Sequence, residues 1–112
     1  MRRRAILAAP ALLAGLPARA ARDVADATGR RIPVPDRVTR VFPAGPPAAI
    51  LLYTLAPDLL AGWPARPPRP HEAAFMDPAA AALPEVGRLT GRDNTANLEA
   101  VLAQRPDLVL DY

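Results

Sequence analysis

Arg37-Val38-Thr39-Arg40-Val41-Phe42-Pro43-Ala44-Gly45-Pro46-Pro47-Ala48-Ala49-Ile50-Leu51-Leu52-Tyr53-Thr54-Leu55 is the stretch on which the fold turns. Residues 37–42 alternate polar and apolar side chains, the period of a half-buried strand. Pro43-Ala44-Gly45-Pro46-Pro47 stops that strand, and residues 48–55 then run without a breaker, so the unit reads strand, tight loop, helix. Ala56-Pro57-Asp58 ends the helix, and Leu59-Leu60-Ala61-Gly62-Trp63 is an apolar run of strand length. Across a helical crossover this second strand is expected to lie parallel to the first, completing a βαβ unit.

Working outward, residues 24–35 hold short alternating segments on either side of Thr28-Gly29, which predicts a β-hairpin with Gly29 supplying the positive φ. Pro33 and Pro35 cannot donate to a ladder, so the second arm belongs at an edge. On the other side, residues 64–70 carry four prolines and two arginines, the composition of a stiff, extended surface loop. Residues 72–83 are alanine-rich and predict a short helix broken at Pro78, residues 84–89 an extended segment, and residues 90–95 a polar loop. Asn97 is a good N-cap for a helix over 98–104, with Glu99 at its positive end. Arg105-Pro106-Asp107 terminates it, and residues 108–112 predict one more buried strand.

The composition bounds the function. Alanine supplies 25 of the 112 residues, so a hydrophobic fraction of 51% overstates the bulky side chain available for a core. There is no cysteine, lysine or serine, which removes disulfides, thiolate metal sites, serine or cysteine nucleophiles and Schiff-base chemistry from these residues. Fourteen arginines against eleven acids look basic, but Arg2, Arg3, Arg4 and Arg19 lie in the first twenty residues. The remainder has a net formal charge of −1, so no nucleic-acid partner is expected.

Those first twenty residues read as an address. Arg2 to Arg4 form a positive n-region, residues 5–16 an uncharged apolar run, and Ala18-Arg19-Ala20 a small-x-small cleavage site. The apolar run falls short of the roughly 20 residues that a spanning helix needs, and Pro10, Gly15 and Pro17 interrupt it. Residues 1–20 are therefore expected to be a signal peptide of the general secretory or the twin-arginine route, and residues 21–112 the exported part.

Few polar groups form a constellation. His71 is the only histidine, with Glu72 and Asp77 nearby, which is too thin for a metal site, and none is expected. No pair of carboxylates has the spacing or apolar setting of an acid/base couple, so no catalytic residue is assigned. Gly45 stands between prolines that have no N–H to offer, and Gly87 and Gly91 lack the company of a phosphate loop. Position is more telling: the loops after the strands, around Gly45, Arg66 and Tyr112, should emerge at one carboxyl edge of a parallel sheet, where open α/β sheets bind ligands. Arg66 and Arg92 carry bidentate donors suited to an anionic ligand, although either taken singly reads rather as a solvated surface residue.

Asp26-Ala27-Thr28-Gly29-Arg30-Arg31-Ile32-Pro33-Val34-Pro35, then Arg40-Val41-Phe42, then Gly87-Arg88-Leu89-Thr90-Gly91, then Asn97-Leu98-Glu99-Ala100-Val101-Leu102-Ala103 with Arg105-Pro106-Asp107-Leu108-Val109-Leu110 follow in an order that resembles a known family. It is that of the periplasmic substrate-binding proteins of iron-siderophore, haem and vitamin B12 ABC importers, and the resemblance covers residues 23–112. It implies an α/β fold: the N-terminal Rossmann-like lobe, a parallel sheet with flanking helices and a short N-terminal hairpin, of a bilobal protein. The connecting helix and second lobe would lie beyond residue 112. By the same resemblance the ligand-binding loops fall on Gly45 and Pro46, on Arg66, and on Arg92, Asp93 and Asn94, while Glu99 matches a surface glutamate that docks onto arginines of the permease. Arg66 and Asp93 stand where the vitamin B12 receptor has aromatic side chains, which favours a ferric chelate with anionic groups. The implied function is capture of a metal chelate, first of all a ferric siderophore, in the periplasm and delivery to an inner-membrane ABC permease, with no cofactor, no catalysis and a monomeric state when complete. Haem or cobalamin is the alternative cargo, and an exported enzyme with its catalytic residues elsewhere is the rival of a different class.

Overall fold

The computed structural model describes residues 21–93 and 95–111. The signal peptide expected at 1–20, the site residue Asn94 and the terminal Tyr112 lie outside the described residues.

The chain enters through an antiparallel hairpin of β1 (Ala21–Ala25) and β2 (Arg31–Pro35), in register from Ala25 opposite Arg31 to Ala21 opposite Pro35. Asp26 builds the turn: its carboxylate accepts from the Thr28 and Arg30 N–H groups at 2.9 Å and from the Thr28 hydroxyl at 2.6 Å. Gly29 closes it at φ +81°, a conformation that costs a residue with a Cβ about 1 kcal/mol or more. All five residues of β1 are exposed, so the expected hairpin forms as a solvated ribbon.

The parallel sheet is built around β3 (Val41–Pro43), which is wholly buried. β4 (Leu108–Leu110) pairs with it in parallel, Val41 opposite Leu108 and Pro43 opposite Leu110. On the other side of β3 a parallel bridge joins Val41 to Leu60, and a further one joins Trp63 to Glu85. Four extended segments thus lie side by side in the order 84–86, 60–63, β3, β4, all running the same way. Helix α1 (Pro46–Leu55) covers one face, with Ala49 and Leu52 on Val41 and Leu60. Helix α4 (Leu98–Ala103) covers the other, where Val101 meets Phe42 and Val86. Neighbouring residues of a strand point to opposite faces, so Val41 and Phe42 anchor one layer each. Two single-turn helices, α2 (Pro70–Ala73) and α3 (Pro78–Ala81), occupy the connection from the 60–63 segment to the 84–86 segment.

Four departures from the sequence expectations have local causes. The strand expected over 37–42 is confined to Val41–Pro43, because the N–H groups of Thr39 and Arg40 donate to the Asp107 carboxylate, at 2.8 and 3.1 Å, instead of to a neighbouring strand. The strand expected over 59–63 touches the ladder only at Leu60 and Trp63, since Pro57–Leu59 winds into a 3₁₀ turn with Leu60 N–H donating to the Pro57 carbonyl. Pro78 starts α3 rather than merely interrupting a helix: it takes the first helical position, where no N–H is needed, and Asp77 caps by accepting from Ala80 N–H at 3.0 Å. The last strand is half-buried rather than buried, with Val109 45% exposed. The expected cap of α4 does form, Asn97 Oδ1 accepting from Ala100 N–H at 2.8 Å.

Candidate functional site: a groove at the carboxyl edge of the sheet

Three chain crossings meet beyond the carboxyl end of β3. The Ala44 carbonyl accepts from Leu89 N–H at 2.8 Å and from Thr90 N–H at 3.1 Å, and the Thr90 hydroxyl donates to Asp111 at 3.0 Å. Gly45 is buried in this knot, and a Cβ there would lie 3.0 Å from the Thr90 hydroxyl oxygen. The helix that follows offers no anion cradle. Pro46 and Pro47 have no N–H, Ala49 N–H goes to the Gly45 carbonyl, and Ala48 is 1% exposed.

Beside the knot runs a groove of ≈ 470 Å³ whose walls include Pro46, Ile50, Trp63, Ala65, Pro68 and Met76, with Arg66 and Glu72 as its charged groups. A smaller recess of ≈ 110 Å³ deepens it between Pro46, Ala49 and Trp63. The volume lies within the range of small-molecule sites, and the composition fits one too: apolar walls with few polar groups. Trp63 is held as a wall. Its indole N–H donates to the Ala80 carbonyl at 3.0 Å, and its ring sits 5.9 Å from that of Tyr53, tilted by 50°. The Tyr53 hydroxyl in turn accepts from Asp77 N–H at 3.1 Å, which ties α1 to the start of α3.

Arg66 and Glu72 face each other fork to fork, Nη1 to Oε2 and Nη2 to Oε1, both at 2.8 Å. Glu72 Oε2 also accepts from Arg69 N–H at 2.7 Å, as the third residue of α2 reaching back to its N-cap. The hydrogen bonds from Arg66 and then that from Arg69 lower the Glu72 carboxyl from its ordinary 4.5 to about 2. The group is ionised at neutral pH and has no proton to donate as a general acid. Because its folded value lies below the unfolded one, its contribution is fully present above pH 4.5 and is lost as the pH falls toward about 2. Trp63 is the only tryptophan, so its fluorescence is expected to stay constant from neutral pH to 4.5 and change below that. Glu72→Gln is expected to reduce that acid change, and an unaltered change in the variant would refute the assignment.

Of the residues singled out in the sequence, Pro46 and Arg66 come together in the groove, while Gly45 precedes Pro46 in the chain and packs against Thr90 without lining the groove. Arg92 and Asp93 are exposed in a loop closed at its base by Thr95 and Ala96 N–H groups donating to the Arg88 carbonyl, and neither lines the groove. Asp93 adopts φ 58°, which suits the short polar side chain of a turn. Glu99 is exposed in the first turn of α4, well away in sequence from the groove-lining segments, between the exposed Leu98 and Leu102. Sequence reasoning missed Glu72 and Met76 as groove residues. The signal for Glu72 was its position three residues after Arg69, at the start of α2. Among the described residues no group of three or more His, Cys, Asp and Glu could hold a metal ion, and no helix is long and apolar enough to cross a membrane.

A mixed α/β segment with this sheet order and a groove at its carboxyl edge is similar to part of a solute-binding protein. A solved structure that carries the likeness is an ABC transporter solute binding protein from Sulfurospirillum deleyianum DSM 6946, at a TM-score of 0.65 and 27% sequence identity over 79% of this chain. The chain spans 28% of that protein's length. No family model and no curated protein matches it.

Proposed function

We propose that the chain is part of the substrate-binding component of an ABC importer, which captures a small molecule without catalysis and hands it to a membrane permease. The observation that carries this reading is the likeness to the Sulfurospirillum deleyianum solute binding protein, over 79% of the chain, together with an apolar groove at the carboxyl edge of the sheet. The finer reading is a ferric siderophore as cargo, with haem or cobalamin as alternatives, in a bilobal, monomeric periplasmic receptor of which this Rossmann-like segment forms the N-terminal part. Residues 1–20 supply the export signal. The family resemblance of the Asp26–Pro35 and Asn97–Leu110 motifs supports that cargo class. On this reading Pro46 and Arg66 meet cargo directly, Gly45 lets the chain turn behind them, and Arg92, Asp93 and Asn94 contribute from a second loop.

Fluorescence titration of the full-length protein through Trp63 tests the cargo. Saturable quenching by ferric siderophores at lower concentration than by haem or cobalamin is the expected result, and the reverse order would replace the siderophore by the better ligand. Glu99 tests the partner. Glu99→Ala is expected to leave chelate affinity unchanged while lowering stimulation of the transporter's ATPase, and Glu99→Arg to lower it further through like-charge repulsion. A change in chelate affinity instead would remove Glu99 from the docking surface.

A further inference from the structure

We propose that Glu72 is an internal counter-ion that sets the charge class of the cargo: it occupies Arg66, so that the part of the cargo seated against Trp63, Ile50 and Met76 is electroneutral and apolar. The inference rests on the cargo-binding reading above and assigns it a specificity-determining residue. Both terminal nitrogens of Arg66 donate to Glu72, one to each carboxylate oxygen at 2.8 Å, and Nη1 also donates to the Pro67 carbonyl at 3.2 Å, a fork-to-fork pairing that brings the full opposite charge against the guanidinium. Glu72 is pinned as well as paired. Its Oε2 accepts from Arg69 N–H at 2.7 Å, and Pro70 fixes the backbone at the first position of α2. The remaining walls of the groove are uncharged, so its lining has no net charge.

An anionic cargo that reaches Arg66 must displace a carboxylate already held by three hydrogen bonds, or sit beside its negative charge. An electroneutral cargo leaves the pair intact and covers apolar wall. The expectation that Arg66 favours anionic groups assumes an available guanidinium, whereas here the acid needed to neutralise it lies six residues further along the same chain.

The test compares two iron(III) chelates of similar size, an electroneutral trihydroxamate complex and a tris-catecholate complex carrying three negative charges, by Trp63 fluorescence on the full-length protein. The unmodified protein is expected to bind the trihydroxamate at least about tenfold more tightly. Glu72→Gln keeps an acceptor for Arg69 N–H and removes the negative charge that offsets Arg66. It is expected to tighten tris-catecholate binding about tenfold relative to trihydroxamate binding. The double variant Arg66→Gln/Glu72→Gln should return to the original ratio. If both chelates bind and their ratio is unchanged in Glu72→Gln, or stays shifted in the double variant, the counter-ion role is overturned and the cargo reading stands. If neither chelate binds the unmodified protein or either variant, the cargo reading falls and this inference falls with it.

Discussion

Phe42→Ala is expected to destabilise the protein by about 3–5 kcal/mol, the usual cost of deleting a fully enclosed phenyl ring. Phe42 is 0% exposed, in the middle of the central strand, and it is where β3, the 84–86 segment and α4 converge through Val86 and Val101, with Leu89 and Ala96 closing the rim. The side chains that line the site, Val86 and Val101, are short and β-branched and cannot extend into the void, so the cavity would persist and its surface add to the lost transfer energy. Phe42→Leu should cost much less, under about 1.5 kcal/mol, because most of the volume stays filled. Urea unfolding of the full-length protein measures both. A loss below about 1 kcal/mol for the alanine variant would mean that the layer between the sheet and α4 is not close-packed.

The second large effect is expected from adding a single methyl group. Gly62 lies where the 60–63 and 84–86 segments approach most closely, and a Cβ there would stand 2.6 Å from the Pro84 carbonyl oxygen and nearer still to Val86 Cγ1. The carbonyl is backbone and cannot rotate away. It accepts from Trp63 N–H at 2.8 Å, and Trp63 in turn accepts from Val86 N–H at 2.8 Å, so relieving the clash means opening the ladder. Gly62→Ala should cost about 1–3 kcal/mol, and Gly62→Val more. Gly29→Ala is the comparison that separates space from conformation: nothing lies within 4 Å of its Cβ position, but its φ is +81°. It should cost about 1–2 kcal/mol through backbone strain alone. Because Trp63 adjoins Gly62, the Gly62 variants should also shift the tryptophan emission, whereas Gly29→Ala should not; equal emission shifts in both would refute the close approach.

The helices and turns were legible because their signals are local. Asn97 caps α4 through a bond to Ala100, three residues on, and Asp26 organises the hairpin turn within four residues. The extents of the strands were not legible, because a strand ends where its partner does. Thr39 and Arg40 alternate as a strand should, yet their donors are claimed by Asp107, 68 and 67 residues away, and no window on the sequence contains both partners. The same limit applies to the groove. Trp63 and Arg66 sit at the end of an extended segment, where open sheets bind ligands, and could be read as a site from their position. Glu72 and Met76 join them only because the proline-rich stretch folds back into α2. Arg66 therefore reads in the sequence as an available cation, and only the structure supplies its partner.

The Asp107 junction also leads to an expected order of assembly. One carboxylate oxygen gathers Thr39 N–H, the Thr39 hydroxyl and Arg40 N–H, while Asp107 N–H returns a 2.8 Å bond to the Arg40 carbonyl. The strand–helix–strand unit around β3 closes over about twenty residues, from Val41 to Leu60, whereas docking β4 gathers in a loop of more than sixty. Contacts of such unequal reach form on different timescales, with the short-range unit able to form while the chain beyond it is still emerging from the ribosome. Until Asp107 arrives, Thr39 and Arg40, which lead into β3, have only water to take their amide donors. During folding this is the side of the sheet that remains open longest.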